Sequence, residues 1–347
     1  MEKSKVLIVG GTGYLGKRLV KASLGQGHET YVLHRPEIGV DIDKVQMLLS
    51  FKEQGAHLVS GSFADYQSLV NAVKLVDVVI SAISGVHIRS HQILLQLKLV
   101  DAIKEAGNVK RFLPSEFGTD PARMADALEP GRVTFDDKMV VRKAIQDAKI
   151  PFTFISANCF AGYFLGGLCQ PGKILPSRDS VLLLGDGNAK AIYVDEDDIA
   201  MYTIKTIDDP RTLNKTVYIR PPKNILSQRE VVEIWEKLIG HDLHKSSISK
   251  EDFLASIEGQ EYAEQVGLIH YYHIVKPCTF PLKNDGNIAH PRANAFMASR
   301  SLKFVANSVF GDGSVLVAFN VPFPSDYSEL LDQVIFYYYL SLPCNFM

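Results

Sequence analysis

The chain has no excess of either charge. Its 347 residues carry 37 Lys and Arg against 39 Asp and Glu, a formal net charge of -2. That balance excludes a broad basic surface for nucleic acid or for anionic membrane. Cysteine is scarce. The four residues Cys159, Cys169, Cys278 and Cys344 show neither metal nor redox spacing, so neither a disulfide framework nor a metal centre is expected. The late apolar run at 334–342 is too short to span a bilayer. "MEKSK" leads straight into a short apolar strand, so no signal peptide is expected and the cytosol is the default compartment. Internal repeats and low-complexity segments are missing too. Asn214-Lys215-Thr216 has the form of a glycosylation acceptor, and without secretion it reads as chance.

What is present is a globular composition, 46% hydrophobic and 22% charged, and a length that allows a sizeable core in one large α/β domain or two lobes. The first notable stretch is "VLIVGGTGYLGKR", Val6 to Arg18: a buried strand, a glycine loop and a helix start. Two phosphate-binding templates nearly fit. Gly11 to Lys17 matches the first seven places of G-x-x-x-x-G-K-[ST], but the eighth is Arg18, which cannot ligate the Mg²⁺ that the template's hydroxyl holds. Gly10, Gly13 and Gly16 are a variant of the dinucleotide turn G-x-G-x-x-G. Glycines there permit a tight turn and let backbone N–H groups approach a pyrophosphate.

The first half alternates strand and helix, which predicts a Rossmann-type, doubly wound parallel α/β sheet. Strands are expected at Val6–Val9, Thr30–Leu33, His57–Ser60, Val78–Ser81, Arg111–Pro114 and Phe152–Ser156. Helices are expected at Tyr14–Leu24, Lys44–Gln54, Tyr66–Val73, His91–Ala106 and Thr134–Ala148. The carboxyl ends of the strands, "HRPE", "GSF", "SAISGVH" and "PSEFG" with the glycine loop, define one crevice. After Phe160 short apolar runs mix with Pro and Gly, which reads as a smaller substrate lobe interleaved with the end of the sheet. The divisions are 1–157 for the nucleotide domain, 158–275 for the lobe and 276–347 for an atypical tail. "DEDDIA" opens a helix, and its acids favour the N-terminal end of the macrodipole rather than a metal.

The end of the second strand separates the two templates. A NAD site places an acidic residue roughly 20 positions past the loop. Here Arg35 stands nineteen residues after Gly16. A guanidinium at that place pairs with a 2′-phosphate by charge and by bidentate hydrogen bonds. Lys44, opening the next helix, adds a second cation. The loop is therefore expected to hold the pyrophosphate of NADPH. The Tyr-x-x-x-Lys of simple dehydrogenases occurs only at Tyr272 to Lys276, too late to face that cofactor. The helix in the right place reads "TFDDKMVVRKAIQDA", with Thr134 as its expected N-cap and Asp136 and Asp137 in its first turn. Lys138 and Arg142, four apart, share a face. From the residues alone they read equally as two solvated cations or as groups beside the crevice. A lysine in an apolar cleft beside other cations loses its proton near neutrality and serves as a base.

Taken together, "VGGTGYLGKR", "RPEIG", "KRFLPSEFG", "TFDDKMVVRKAI", "DEDDIA" and "NKTVYIRPP" resemble the plant reductases that include pinoresinol–lariciresinol, isoflavone and phenylcoumaran benzylic ether reductases. These are atypical, NmrA-like members of the short-chain dehydrogenase superfamily. The resemblance runs from residue 5 to about 275, and "SGVHIRSH" and Leu95 to Val100 favour the lignan branch.

The resemblance implies the following roles. Gly10, Gly11, Thr12, Gly13, Tyr14, Leu15 and Gly16 form the NADPH loop. Arg35, Lys44 and Arg142 contact the cofactor, and Phe160 is an aromatic contact to it. Lys138 is the general base. His270 contacts substrate, and "FAGYFLGG" and "ISGVHI" line an apolar slot. The implied activity is NADPH-dependent opening of the benzylic ether of pinoresinol or lariciresinol in a cytosolic homodimer, with no metal. The alternatives are an isoflavone or phenylcoumaran reductase, or a non-catalytic NADP(H)-binding regulator. From about Lys276 the resemblance stops, and the aromatic-rich tail is expected to pack poorly on the lobe.

Overall fold

The computed structural model describes residues 3–84, 92–173 and 175–260, with 267, 268, 270, 271 and 274 and the strand Ile288–Ala289. The slot segment 85–91, Tyr272 and Lys276 of the Tyr-x-x-x-Lys string, and the expectation about tail packing lie outside the described residues.

The nucleotide half runs β1 (Val6–Val9), α1 (Gly16–Gly25), β2 (Thr30–His34), α2 (Ile42–Glu53), β3 (His57–Ser60), α3 (Tyr66–Val73), β4 (Val78–Ser81), α4 (Gln96–Ala106), β5 (Arg111–Leu113), α5 (Arg132–Asp147) and β6 (Thr153–Ser156). Five strands pair in the order β3-β2-β1-β4-β5, all parallel. Every residue of β1 and β4 is buried, as expected for strands covered on both faces. Val6 and Ile8 join one core cluster, Leu7 and Val9 the other. The strand order reverses between β1 and β4, so the ligand crevice opens at their carboxyl ends.

The second half continues through β7 (Cys159–Phe160), α6 (Ala161–Gly166), β8 (Ser180–Leu184), β9 (Lys190–Val194), α7 (Glu196–Thr206), β10 (Lys215–Tyr218), β11 (Ile225–Ser227), α8 (Gln228–Ile239), β12 (His244–Ile248), α9 (Lys250–Ile257) and β13 (Ile288–Ala289). Part of it returns to the nucleotide half. A parallel bridge joins Phe112 to Phe152, and β10 then pairs with β6 on one side and β13 on the other. Helix α7 packs on α1, and its Ile199 and Ile204 share a core with Val6 and Ile8. The lobe proper is built on β7-β9-β11 and β8-β12 around the buried Trp235, Tyr193 and Phe164. Helix α8 carries a capping box from Ser227 and Glu230 and ends on Gly240 at φ 81°.

Several boundaries differ from the sequence reading. Helix α5 begins at Arg132 behind Gly131, not at a Thr134 cap, and no acid stands in its first turn. Arg132 pairs with Glu129 at 2.8 Å and Asp136 at 3.2 Å, which fills that turn. The stretch from His91 divides into a 3₁₀ turn, Gln92–Leu95, and α4. At the junction the Gln96 side chain donates to the Ile93 carbonyl and accepts from the Ser115 N–H. Helix α1 starts at Gly16 rather than Tyr14. Helix α2 starts at Ile42 because Asp41 caps it, so Lys44 sits in the first turn and does not open the helix.

Candidate active site

The loop after β1 is folded so tightly that two of its glycines are obligatory. Gly10 has φ +83°, and a Cβ there would stand 2.7 Å from the Ala82 oxygen beyond β4. A Cβ on Gly16 would stand 1.9 Å from the Gly10 oxygen. Gly13 N–H donates to that same oxygen at 3.0 Å. This knot places the start of α1 at the sheet's switch point, the geometry that presents backbone N–H groups to an anion. Arg18, which replaced the Mg²⁺-binding hydroxyl, is used within the fold. It donates to the Tyr14 carbonyl at 2.7 Å, pairs with Asp197 at 3.1 Å and lies 4.5 Å over the Tyr14 ring. The residues present fit a dinucleotide and not a triphosphate–Mg²⁺ complex.

The same loop is fastened to the lobe. Tyr14 Oη donates to Glu196 Oε1 at 2.8 Å, and the Gly162 N–H donates to Glu196 Oε2 at 3.2 Å. Phe160 stacks on Tyr14 with ring centroids 6.3 Å apart. Burial pushes both the Tyr14 phenol and the Glu196 carboxyl up. The acidic run is thus more than a helix start. Asp195 caps α7, and Glu196 joins cofactor loop to lobe.

At the end of β2, Arg35 is exposed. Lys44 is bound by both its backbone N–H and its Nζ to Asp41. The Lys44 ammonium holds the Asp41 carboxyl below its usual range, and Arg35 adds to the effect. Two cations and one carboxylate therefore stand where a 2′-phosphate is expected.

At the end of β5 the helix-face reading holds, but the solvated alternative does not. Lys138 and Arg142 are both buried, beside Val141 and Ile145. Lys138 Nζ donates to the Glu116 carbonyl at 2.9 Å. The Arg142 fork holds Glu116 at 2.7 and 2.5 Å and Asp120 at 2.9 Å. It also lies 4.4 Å over the Phe154 ring. Burial is the main cause of the lowered Lys138 pKa. Glu116 opposes it, and Arg142 contributes less. Of the two causes expected from the sequence, the apolar surroundings outweigh the neighbouring cation, because the Arg142 charge is met by two carboxylates.

In the lobe, His270 is buried against Phe164 and Tyr163, with centroids 5.1 and 5.7 Å apart. Tyr163 is 45% exposed, so its ring is reachable from solvent. The Asn214 side chain accepts from the Phe152 N–H at 3.1 Å, a structural use of the residue in the apparent sequon.

A family model described as the NmrA-like family matches residues 2–279. The chain belongs to the NmrA-like family. It is 80% identical over 273 residues to a bifunctional pinoresinol-lariciresinol reductase of Linum corymbulosum, covering 79% of this chain and 87% of that one. It is 73% identical over 308 residues to the bifunctional pinoresinol-lariciresinol reductase of Sinopodophyllum hexandrum, covering 87% and 99%. A solved structure described as AtPrR2 with NADP+ and (+)pinoresinol superposes with a TM-score of 0.82 at 56% identity, covering 88% of this chain and 99% of that one. The family match stops close to Lys276, where the sequence resemblance also ended.

Within this NmrA-like chain, the residues that sequence reasoning missed are the acids. Glu116, Asp120, Asp41 and Glu196 each meet a cation or phenol that had been singled out. A usable signal existed for Glu116, since "PSEFG" follows a strand at the crevice. Among the described residues no helix is long and apolar enough to cross a membrane.

Proposed function

We propose that the chain is an NADPH-dependent reductase of furofuran and furan lignans, which opens the benzylic ether of pinoresinol and then of lariciresinol. The observation that carries the mechanism is the buried Lys138 at the crevice, its ammonium on the Glu116 carbonyl and its charged form disfavoured by burial. Such an amine gives up its own proton more readily than a solvated lysine and can then accept one from a substrate. The substrate has a free phenol para to its cyclic benzylic ether. Lys138 takes the phenol proton, electrons move through the ring, and the benzylic C–O bond breaks. The product of that step is a quinone methide and an alkoxide, which takes up a proton. Bound NADPH would supply the hydride that the benzylic carbon takes up. The phenolate left by that transfer recovers its proton from Lys138.

The other residues bind and orient. Gly10 to Gly16 provide the pyrophosphate cradle, with Thr12 and Leu15 in its turn. Arg35 and Lys44 take the 2′-phosphate. Phe160, packed on Tyr14, contributes an aromatic wall, and His270 beside Phe164 and Tyr163 lies on the substrate side. Relatives 66–81% identical carry the bifunctional lignan reductase name. We also infer a cytosolic homodimer, on the family resemblance; the expected outcome of sedimentation velocity is a single boundary at twice the chain mass, and a boundary at one chain mass would overturn it.

The test is product analysis after incubating racemic pinoresinol with NADPH. Lariciresinol followed by secoisolariciresinol supports the reading. Untouched pinoresinol with turnover of an isoflavone or phenylcoumaran supports the related reductases instead. Cofactor binding with no turnover of any of these identifies a regulator.

A further inference from the structure

We propose that Glu116 is a positioning residue for Lys138: its main-chain oxygen aims the amine, and its carboxylate, clamped by Arg142, balances the amine's charge. The proposal deepens the reading of Lys138 as the base and rests on it.

The aiming rests on the turn that carries Glu116. Glu116 and Gly118 flank Phe117, a buried residue at φ 42°, in the left-handed region where a residue with a side chain is strained. Gly118 N–H closes the turn onto the Glu116 carbonyl at 2.6 Å, and Lys138 Nζ meets the same oxygen at 2.9 Å. That carbonyl is then fully used. The strain is held in place from behind: Ser156 Oγ and the Ala157 and Asn158 N–H groups donate to the Gly118 oxygen at 3.1, 3.1 and 3.2 Å. An amine that spends one N–H on a fixed carbonyl has its lone pair restricted to the remaining directions. That restriction orients a base before substrate arrives.

The charge balance rests on Glu116 and Arg142, which act on the amine, and on the groups linked to them. Glu116 and Asp120 come from the segment after β5, Arg123 from the 3₁₀ turn that Asp120 caps, Tyr218 from β10 and Arg142 from α5 itself. Arg142 donates to both oxygens of Glu116, which favours the anion against the burial that pushes this carboxyl up. Arg142 also meets Asp120 at 2.9 Å. Asp120 further accepts from Tyr218 Oη and faces Arg123 at 3.6 Å. Glu116, Asp120, Arg123 and Arg142 together carry no net charge, so the protonated Lys138 is balanced by the adjacent Glu116 carboxylate and not by the cluster as a whole. Burial pushes the amine toward neutrality and Glu116 pulls it back. The carboxylate thereby keeps Lys138 from losing its proton for good, so that it can both take a proton and return one.

Two variants shift that balance in opposite directions. Glu116→Gln keeps the shape and the turn but removes the anion, so the Lys138 titration midpoint falls by about one pH unit or more. Arg142→Gln frees the Glu116 charge, so the midpoint rises. Glu116→Asp keeps the charge and restores the wild-type midpoint while loosening the amine, which lowers kcat. The measurement is NMR titration of ε-¹³C-labelled lysine in the cofactor-free protein, with Lys138 assigned by its loss in Lys138→Arg, alongside the pH dependence of kcat/KM with pinoresinol. The acid limb of kcat/KM should follow the NMR midpoint, giving a rise of about tenfold below the wild-type midpoint in Glu116→Gln. Folded variants whose Lys138 midpoint does not move, or moves in the same direction in both, overturn the proposal. A midpoint that moves as stated while the rate limb stays put upholds the balance and refutes Lys138 as the base.

Discussion

The crevice has a cationic pair at each end, and the two pairs are handled differently. Arg35 is exposed and the Lys44 side chain is 40% exposed, with one carboxylate, Asp41, shared near them. Lys138 and Arg142 are buried, and the Arg142 side chain, only 8% exposed, meets two buried carboxylates. A charge in water costs little and gains little, because solvent and salt screen it. A buried charge is costly alone and strongly coupled to each neighbour. The exposed pair can therefore tune affinity for an anion by increments. The buried group controls where a proton sits, and a single neighbour changes its behaviour by large factors.

The largest effect should follow from removing the buried amine. A positioned base contributes about 10²–10⁴-fold in rate, so Lys138→Ala should lose about that much kcat with pinoresinol while NADPH affinity stays nearly constant. Lys138→Arg should fail as well, because guanidinium does not give up its proton. Steady-state kinetics paired with cofactor titration by fluorescence checks both. Near-normal turnover in the Ala variant would remove Lys138 from the chemistry, and a matching loss of cofactor affinity would make it a cofactor contact instead.

The exposed end should give a smaller and more selective loss. Arg35→Ala should weaken NADPH binding by about 1.5–3 kcal/mol, the scale of a charge-assisted hydrogen bond, and leave NADH binding unchanged. Calorimetric titration of both cofactors decides it. Equal losses would mean that Arg35 does not read the 2′-phosphate.

How much of this contrast was legible beforehand depends on range in sequence. The strands were readable because β1 and β4 are apolar at every position but one, as strands covered on both faces are. The glycine loop was readable because its tightest approach, Gly16 onto Gly10, is local, although the approach of Gly10 to Ala82 is not. The Lys138–Arg142 face followed from helical spacing. Its burial did not, since lysine and arginine are usually solvated and the acids that allow burial arrive from a loop 22 to 26 residues away. The start of α5 was missed because Thr134 is by residue type a better cap than Gly131, while the Arg132 ion pairs decided the matter. The return of α7 and β10 to the nucleotide half joins residues far apart in sequence, such as Ser156 and Tyr218, which no local pattern encodes.

A third difference between the two ends concerns salt. Exposed charges separated by about 8 Å or more are largely screened at physiological ionic strength, whereas buried ones are screened much less. NADPH affinity should fall steadily between low and high salt, and NADH affinity should fall less. The acid limb of the kcat/KM profile, set at the buried end, should hardly move over the same range. A limb that shifts with salt as strongly as cofactor affinity does would place Lys138 within reach of solvent ions.

The smallest effect should come from Asp41, and it tests whether the exposed end is really limited by its own carboxylate. Asp41 accepts from the Lys44 backbone N–H at 3.1 Å and binds the Lys44 Nζ. Its carboxyl lies below the usual range, chiefly through Lys44, so it is anionic throughout the neutral region and repels a 2′-phosphate. Asn is as good an N-cap as Asp, so Asp41→Asn keeps the start of α2 while freeing the Lys44 ammonium. A partly exposed ion pair is worth about 0.2–1 kcal/mol, so NADPH should bind up to about fivefold more tightly in the variant, most clearly at low salt, and NADH should not change. The sign is the informative part. As pH falls and Asp41 takes up a proton in the wild-type chain, wild-type affinity should approach that of the variant. If Asp41→Asn weakens NADPH binding instead, the carboxylate is holding Lys44 in the position the phosphate needs, and the exposed pair is preorganised in the same way as the buried one.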